Sequence, residues 1–129
     1  MISRQDFLNA VTQDIDIVKG DTLSFNFQLT GLKLGTPAAK RPTFTFSVAD
    51  EQSIFFTATS AHGEEDADGI TLADYNESKD VATYVVYIAP TKTKTLDLAR
   101  YYYDLQMELG DDVYTLMRGR FTLLREVTV

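Results

Sequence analysis

An all-β, immunoglobulin-like antiparallel β-sandwich of about eight short strands, led by a short N-terminal helix or arm, is the fold class this sequence predicts. Three observations predict it. Apolar and polar residues alternate in run after run beyond Asp14, the period of a strand with one buried face. Phe (8) and Tyr (7) are abundant while Trp and Cys are absent, and aromatic and β-branched residues favour pleated, half-buried surfaces. Finally, Asp97-x-Ala99-x-Tyr101-x-Tyr103 has the spacing of the corner that leads into strand F of such sandwiches. There a Tyr hydroxyl bonds back to the upstream backbone, two residues before a buried position that antibody domains fill with Cys. This chain fills it with Tyr103.

Residues 1–14 differ from the rest. Ser3 is a candidate helix cap, with Asp6 three residues on in place of the capping-box Glu. Phe7, Leu8 and Val11 then recur at helical spacing. A segment of about 12 residues is marginal as an isolated helix, so it needs a surface, on its own domain or on a neighbouring subunit. Residues 15–129 form the single sandwich domain. Ile15 and Ile17 open it, and Gly20-Asp21 turns the chain. Leu23, Phe25, Phe27 and Leu29 alternate with Thr22, Ser24, Asn26 and Gln28 in the clearest half-buried strand. Gly31 to Pro42 reads as a loop, because Gly35, Pro37 and Pro42 break any ladder.

Phe44, Phe46 and Val48 form the next strand, and Ile54 to Ala58 another after an Asp50-Glu51 turn. Ser60 to Gly69 is a polar, acidic loop, followed by a short strand over Ile70 to Ala73. Val81 to Ile88 is apolar on both sides, which predicts a central strand covered by layers above and below. Pro90 ends it, and Thr91 to Asp97 crosses to the Tyr101–Leu109 strand, with no helix of substance expected after residue 14. A two-residue Gly110-Asp111 turn sets Tyr114 and Leu116 opposite Met107 and Leu105. Beyond it the apolar parity switches from even to odd at Phe121 and Leu123, which predicts a β-bulge at Arg118-Gly119.

With 129 residues the chain is long enough for one core without disulfide staples. The absence of Cys excludes thiolate chemistry and a cysteine zinc site and fits folding in a reducing cytoplasm. A net charge of -7 argues against nucleic-acid binding, which needs cations facing phosphates. Met1 to Asp14 lacks an apolar signal-peptide core, and no run approaches the roughly 20 apolar residues of a spanning helix, so no membrane partner is expected.

Candidate sites are few. Glu64, Asp66 and Asp68 before Gly69 occupy the first, third and fifth positions of a calcium loop, but Tyr75 stands where the bidentate Glu is required. A solvated acidic loop is expected there, with no metal or other cofactor. His62, the single histidine, lies in the same loop, and no Ser has a Gly-x-Ser-x-Gly context. Asp21 and Asp104 could serve as paired acids for glycoside hydrolysis, yet Asp21 belongs to a turn and Asp104 to the polar face of its strand. No catalytic residue is assigned. Arg118, Arg120 and Arg125 against Asp104 and Glu108 read as cross-strand ion pairs or as an interface stripe. Of the three consecutive tyrosines, Tyr102 is the one that faces outward. Interface candidates are therefore Phe7, Leu8, Val11, Arg118 and Arg120.

Three stretches carry a family resemblance. They are Ile17-x-x-Gly20-Asp21-Thr22; Ala89-Pro90 with Thr95-Leu96; and Arg100-Tyr101-x-Tyr103-Asp104-Leu105 with Leu116-x-x-Gly119-x-Phe121-x-Leu123 and Val127-Thr128. Over residues 15–129 the chain resembles the small β-sandwich virion proteins of tailed bacteriophages and prophages, of which the N-terminal domain of upper baseplate proteins is the best-known relative. Ala99 departs from the Gly that many relatives carry. The resemblance implies a non-enzymatic structural protein that docks on other capsid, connector, tail or baseplate subunits as a homo- or hetero-oligomer. It also implies assembly in the bacterial host cytoplasm and residence in the virion. No fibre or receptor-binding segment follows residue 129, so docking is expected rather than adhesion. The alternative is a carbohydrate- or receptor-binding adhesin-type module.

Overall fold

The computed structural model describes residues 10–36, 41–50, 54–59, 69–94, 96 and 100–125, with the backbone alone at 55–56. Among the described residues, alternation becomes pairing in nine strands. They are β1 (Val11–Thr12), β2 (Ile15–Val18), β3 (Leu23–Thr30), β4 (Thr43–Ala49), β5 (Ile54–Thr59), β6 (Gly69–Asn76), β7 (Val81–Ile88), β8 (Arg100–Leu109) and β9 (Asp112–Leu124). One sheet has the order β1-β9-β8-β4-β5 with β2 also on β9, and the other the order β3-β7-β6. This is the immunoglobulin-type arrangement, with β3-β7-β6 in one layer and β4-β8-β9 in the other. One departure from antiparallel pairing stands out: β1 and β2 both run parallel to β9.

Aromatic rings join the layers. Phe27 on β3 meets Phe44 edge-on at 5.3 Å and stacks on Tyr84 of β7 at 5.5 Å. Beside them Phe25 contacts Phe46 at 5.7 Å, and Phe46 contacts Tyr103 of β8 at 5.4 Å. Each such pair adds about 0.5–1.5 kcal/mol beyond its buried area. Tyr103 is buried, as the corner spacing predicts, and Phe25–Phe46–Tyr103 crosses the core on the strands that carry the Cys–Trp–Cys pin of antibody domains.

The connection between the layers is more ordered than the sequence suggests. The crossing opens with a short helix, α1 (Pro90–Lys94), which Pro90 can start because its missing N–H would have no partner there. Thr93 on α1 is fully buried. Its hydroxyl accepts the Gly20 N–H at 3.0 Å and lies 3.1 Å from the carbonyls of Asp21 and Pro90. The β2–β3 turn is thereby tied to the crossing. At the opposite end, Asp80 accepts the N–H groups of Gly31 and Lys33 at 3.0 and 2.8 Å and the Tyr75 hydroxyl at 2.8 Å.

Several expectations need correction. β7 is central, but its sheet is covered on one side: Ala82, Tyr84, Val86 and Ile88 are buried, while Val81, Thr83, Val85 and Tyr87 are only partly so. Strand preference, rather than a second layer, accounts for its β-branched residues. The Gly110-Asp111 turn forms, with Gly110 at φ 64° and Met107 opposite Tyr114. The bulge lies upstream of Arg118-Gly119. Leu105 pairs with Met117 and Gln106 with Thr115, so Leu116 is the extra residue, and it is fully buried.

Gly119 answers a different demand. A Cβ there would lie 2.2 Å from the Gln13 carbonyl oxygen, because the β1–β2 junction runs directly over it. Tyr103, the partner of Gly119 on β8, reaches across the glycine and donates its hydroxyl to that same carbonyl. Gln13 N–H donates to the Arg118 carbonyl at 2.9 Å, and Arg120 N–H to the Asp14 carboxylate at 3.0 Å. Strand pairing thus begins at Val11, ahead of the expected boundary at residue 15. Helical spacing could not reveal this, since Val11 and Thr12 are held by the edge of β9. The helix expected over residues 1–9 lies outside the described residues, as do Phe7 and Leu8.

Two substitutions test these relations. Phe27→Ala should lower stability by about 3–5 kcal/mol in urea unfolding, and a loss below about 1 kcal/mol would be that of a surface site. Gly119→Ala should cost about 1–3 kcal/mol through overpacking against backbone and should speed hydrogen exchange at Gln13. Unchanged exchange there would show that the junction does not depend on the glycine.

Candidate functional site

The outer face of the larger sheet gathers the surface residues with chemistry to offer. Alternation along β8 turns Tyr101 and Tyr103 into the core and leaves Tyr102 outside at 55% exposure. Register then sets Ile54, Ala49, Tyr102 and Arg120 in one row across four strands. The next row holds Thr57, Ser47, Asp104, Arg118 and Thr12. Two shallow depressions flank Tyr102 and Asp104. The larger, about 490 Å³, runs towards Arg118 and Arg120, and the smaller, about 270 Å³, towards Ser47 and Ile54.

Charge on this face is mixed. Asp104 is half-buried, and burial pushes its carboxyl above the usual carboxylate range. A close guanidinium would pull it the other way, so the Arg118 opposite it in the ladder is not acting as a tight ion-pair partner. Glu108 stands opposite Val113 instead of an arginine, and Arg125 lies beyond the end of β9. The expected set of cross-strand pairs therefore reduces to one in-register couple. Tyr103, beneath the face, is pushed up to about 12 by burial and by the neighbouring Asp14 charge. Its hydroxyl stays protonated, and able to donate to Gln13, throughout the neutral range.

Among the interface candidates, Val11, Arg118 and Arg120 are all exposed, but only Arg118 and Arg120 share the outer face; Val11 pairs beside Met117, on the side of the sheet that turns to the core. Phe7 and Leu8 are outside the described residues. So are His62 and the Glu64–Asp68 segment, while Tyr75 is a β6 residue whose hydroxyl is engaged by Asp80. Asp21 sits in the β2–β3 turn beside Thr93, whereas Asp104 is in mid-strand between Ser47 and Arg118, so the two do not form an acid pair. Tyr75 and Tyr102 lie on different sheets.

Ile54 is a surface residue that strict alternation would misplace. Its parity matches buried Ala58, which implies a core position. The ladder slips between Val48 and Ala49, one extra residue enters β5, and Ile54 emerges at 64% exposure. A break in local register leaves no trace in periodicity when both neighbours are apolar.

The arrangement suits contact better than reaction. It offers an aromatic face, an exposed aliphatic residue, two guanidinium groups and one partly desolvated carboxylate on an open surface. Comparison with known protein families and with curated proteins finds no match for this chain. No helix among the described residues is long and apolar enough to cross a membrane.

Asp104 yields a signed pH prediction. Its folded value lies above the ordinary 3.8, so the fold favours the protonated acid and is burdened by the carboxylate. That favourable contribution is present below 3.8 and is lost as pH rises through the folded value. Asp104→Asn should therefore raise the melting temperature at pH 7 and lose its advantage below pH 3.8. A variant that melts lower than wild type at pH 7 would show that the carboxylate is compensated by a partner.

Proposed function

We propose that the chain is a non-enzymatic virion structural protein of a tailed bacteriophage or prophage. In this reading the sandwich docks on other capsid, connector, tail or baseplate subunits and needs no cofactor. One observation carries it: the open face built on Tyr102, where Ile54, Arg118 and Arg120 surround a half-buried acid that burial opposes. Tyr and Arg are the residue types that dominate the energetics of protein contacts. An acid retained against its desolvation is accounted for if a partner completes its surroundings. The immunoglobulin-type topology and the sequence likeness to small phage sandwiches support the same reading. Assembly in the host cytoplasm suits a chain with no cysteine.

The second reading is a carbohydrate- or receptor-binding module of adhesin type. Tyr102 between two depressions favours it, because sugars stack on exposed aromatic faces. The two readings separate cleanly on one double variant, Tyr102→Ala with Arg120→Glu. Under the structural reading it should keep the wild-type melting temperature within a degree or two and lose co-purification with the products of adjacent genes by at least tenfold. Undiminished co-purification would remove this face from docking. Saturable binding of wild type to an oligosaccharide panel, abolished by Tyr102→Ala, would favour the adhesin.

A further inference from the structure

We propose that the free edge of β3 is a docking site for a second copy of this chain, pairing β3 with β3 antiparallel about a two-fold axis through Asn26. In the sheet order β3-β7-β6, β3 is an outer strand, paired on one side only among the described residues. By ladder geometry, alternate backbone N–H and C=O groups along its eight residues point away from β7.

Natural sheets guard such edges with charges, proline, bulges or short length. The other edges here follow that rule. β6 carries Asp74 and a register break between Leu72 and Asp74, β5 pairs across a break at Val48/Ala49, and the β1–β2 edge is interrupted at Gln13–Asp14. β3 has none of these. Leu23–Thr30 contains no Asp, Glu, Lys, Arg or Pro, and its register with β7 is unbroken from Leu23↔Ile88 to Thr30↔Val81.

Self-complementarity selects a second copy as the occupant, and the lack of charge on β3 permits it. A chain of net charge -7 repels itself over most of its surface, and β3 presents an uncharged strip along which two copies can meet. The strip is also self-complementary. With Asn26 opposite Asn26 of the second copy, Phe25 meets Phe27, Ser24 meets Gln28 and Leu23 meets Leu29. Each pair is apolar with apolar on the inner face or neutral polar with neutral polar on the outer, and no like charges oppose. A shift of one residue would set the apolar face against the polar one. Phe25 alone among the inward side chains of β3 is left partly exposed, while Leu23, Phe27 and Leu29 are buried. A neighbouring Phe27 would cover it. The resulting interface is isologous, joining two three-stranded sheets into one of six. The inference does not depend on the virion reading.

The chain has no cysteine, so an introduced one reports this contact alone. Paired strands hold opposite Cα atoms about 4.5–5.5 Å apart, within disulfide range. Under mild oxidation Asn26→Cys should form a covalent dimer of twice the 14.5 kDa chain mass. Ser24→Cys should not do so alone, but should cross-link when mixed with Gln28→Cys. Wild type should show a concentration-dependent dimer in sedimentation equilibrium, and Asn26→Lys, at an exposed position, should be monomeric with an unchanged circular dichroism spectrum. The proposal is overturned if wild type is monomeric, if Asn26→Lys still dimerises, or if Ser24→Cys cross-links as readily as Asn26→Cys. A monomer whose β3 amides resist hydrogen exchange would also overturn it, by showing the edge covered within its own chain.

Discussion

The Gln13 carbonyl holds the two ends of this fold together. It accepts the hydroxyl of Tyr103, a residue 90 positions away, over a glycine that leaves just enough room. Around it the Gln13 N–H donates to the Arg118 carbonyl, and the Asp14 carboxylate accepts the Arg120 N–H. A peptide carbonyl drawn out of water without a partner is expensive, so this contact adds to the β9 ladder that positions the first strands. Once they lie along β9, the large sheet has its order, and the outer row of Thr12, Arg118 and Asp104 has its geometry. The same tyrosine also packs on Phe46. One side chain thus serves the core and the closure of the sheet.

Aromatic packing explains how the sandwich dispenses with a disulfide. The Phe25–Phe46–Tyr103 row spans the layers where related sandwiches use a covalent pin, and Phe27, Phe44 and Tyr84 form a second cluster beside it. Rings contribute area and edge-to-face attraction without needing an oxidising compartment. The loop ends are secured by polar means, Thr93 at one end and Asp80 at the other. Each satisfies backbone groups that a turn would otherwise leave unpaired.

The surface follows from the interior. Because Tyr101 and Tyr103 are committed to the core, Tyr102 must stand outside, and Asp104 beside it loses water without gaining a firm counter-ion. The bulge in β5 adds Ile54 to the same face. The uncharged edge at β3 and the mixed-charge face around Tyr102 are chemically distinct surfaces on different sheets.

The sequence by itself determined the strands and their buried faces. Alternation is a local property of extended backbone, so β3, β4, β7 and β8 and the Gly110 turn could be read from Leu23, Phe44, Val81 and Tyr103 onward. It also showed that Tyr103 is buried and Tyr102 exposed. Only the tertiary structure decided what Gly119 is for, that Leu116 carries the bulge, that Val11 is a strand residue, and that Ile54 faces out. Each depends on a strand distant in sequence pressing on, slipping against or pairing with the residue concerned. Periodicity records which side of its own strand a residue occupies, and it contains no term for the neighbour that strand will meet.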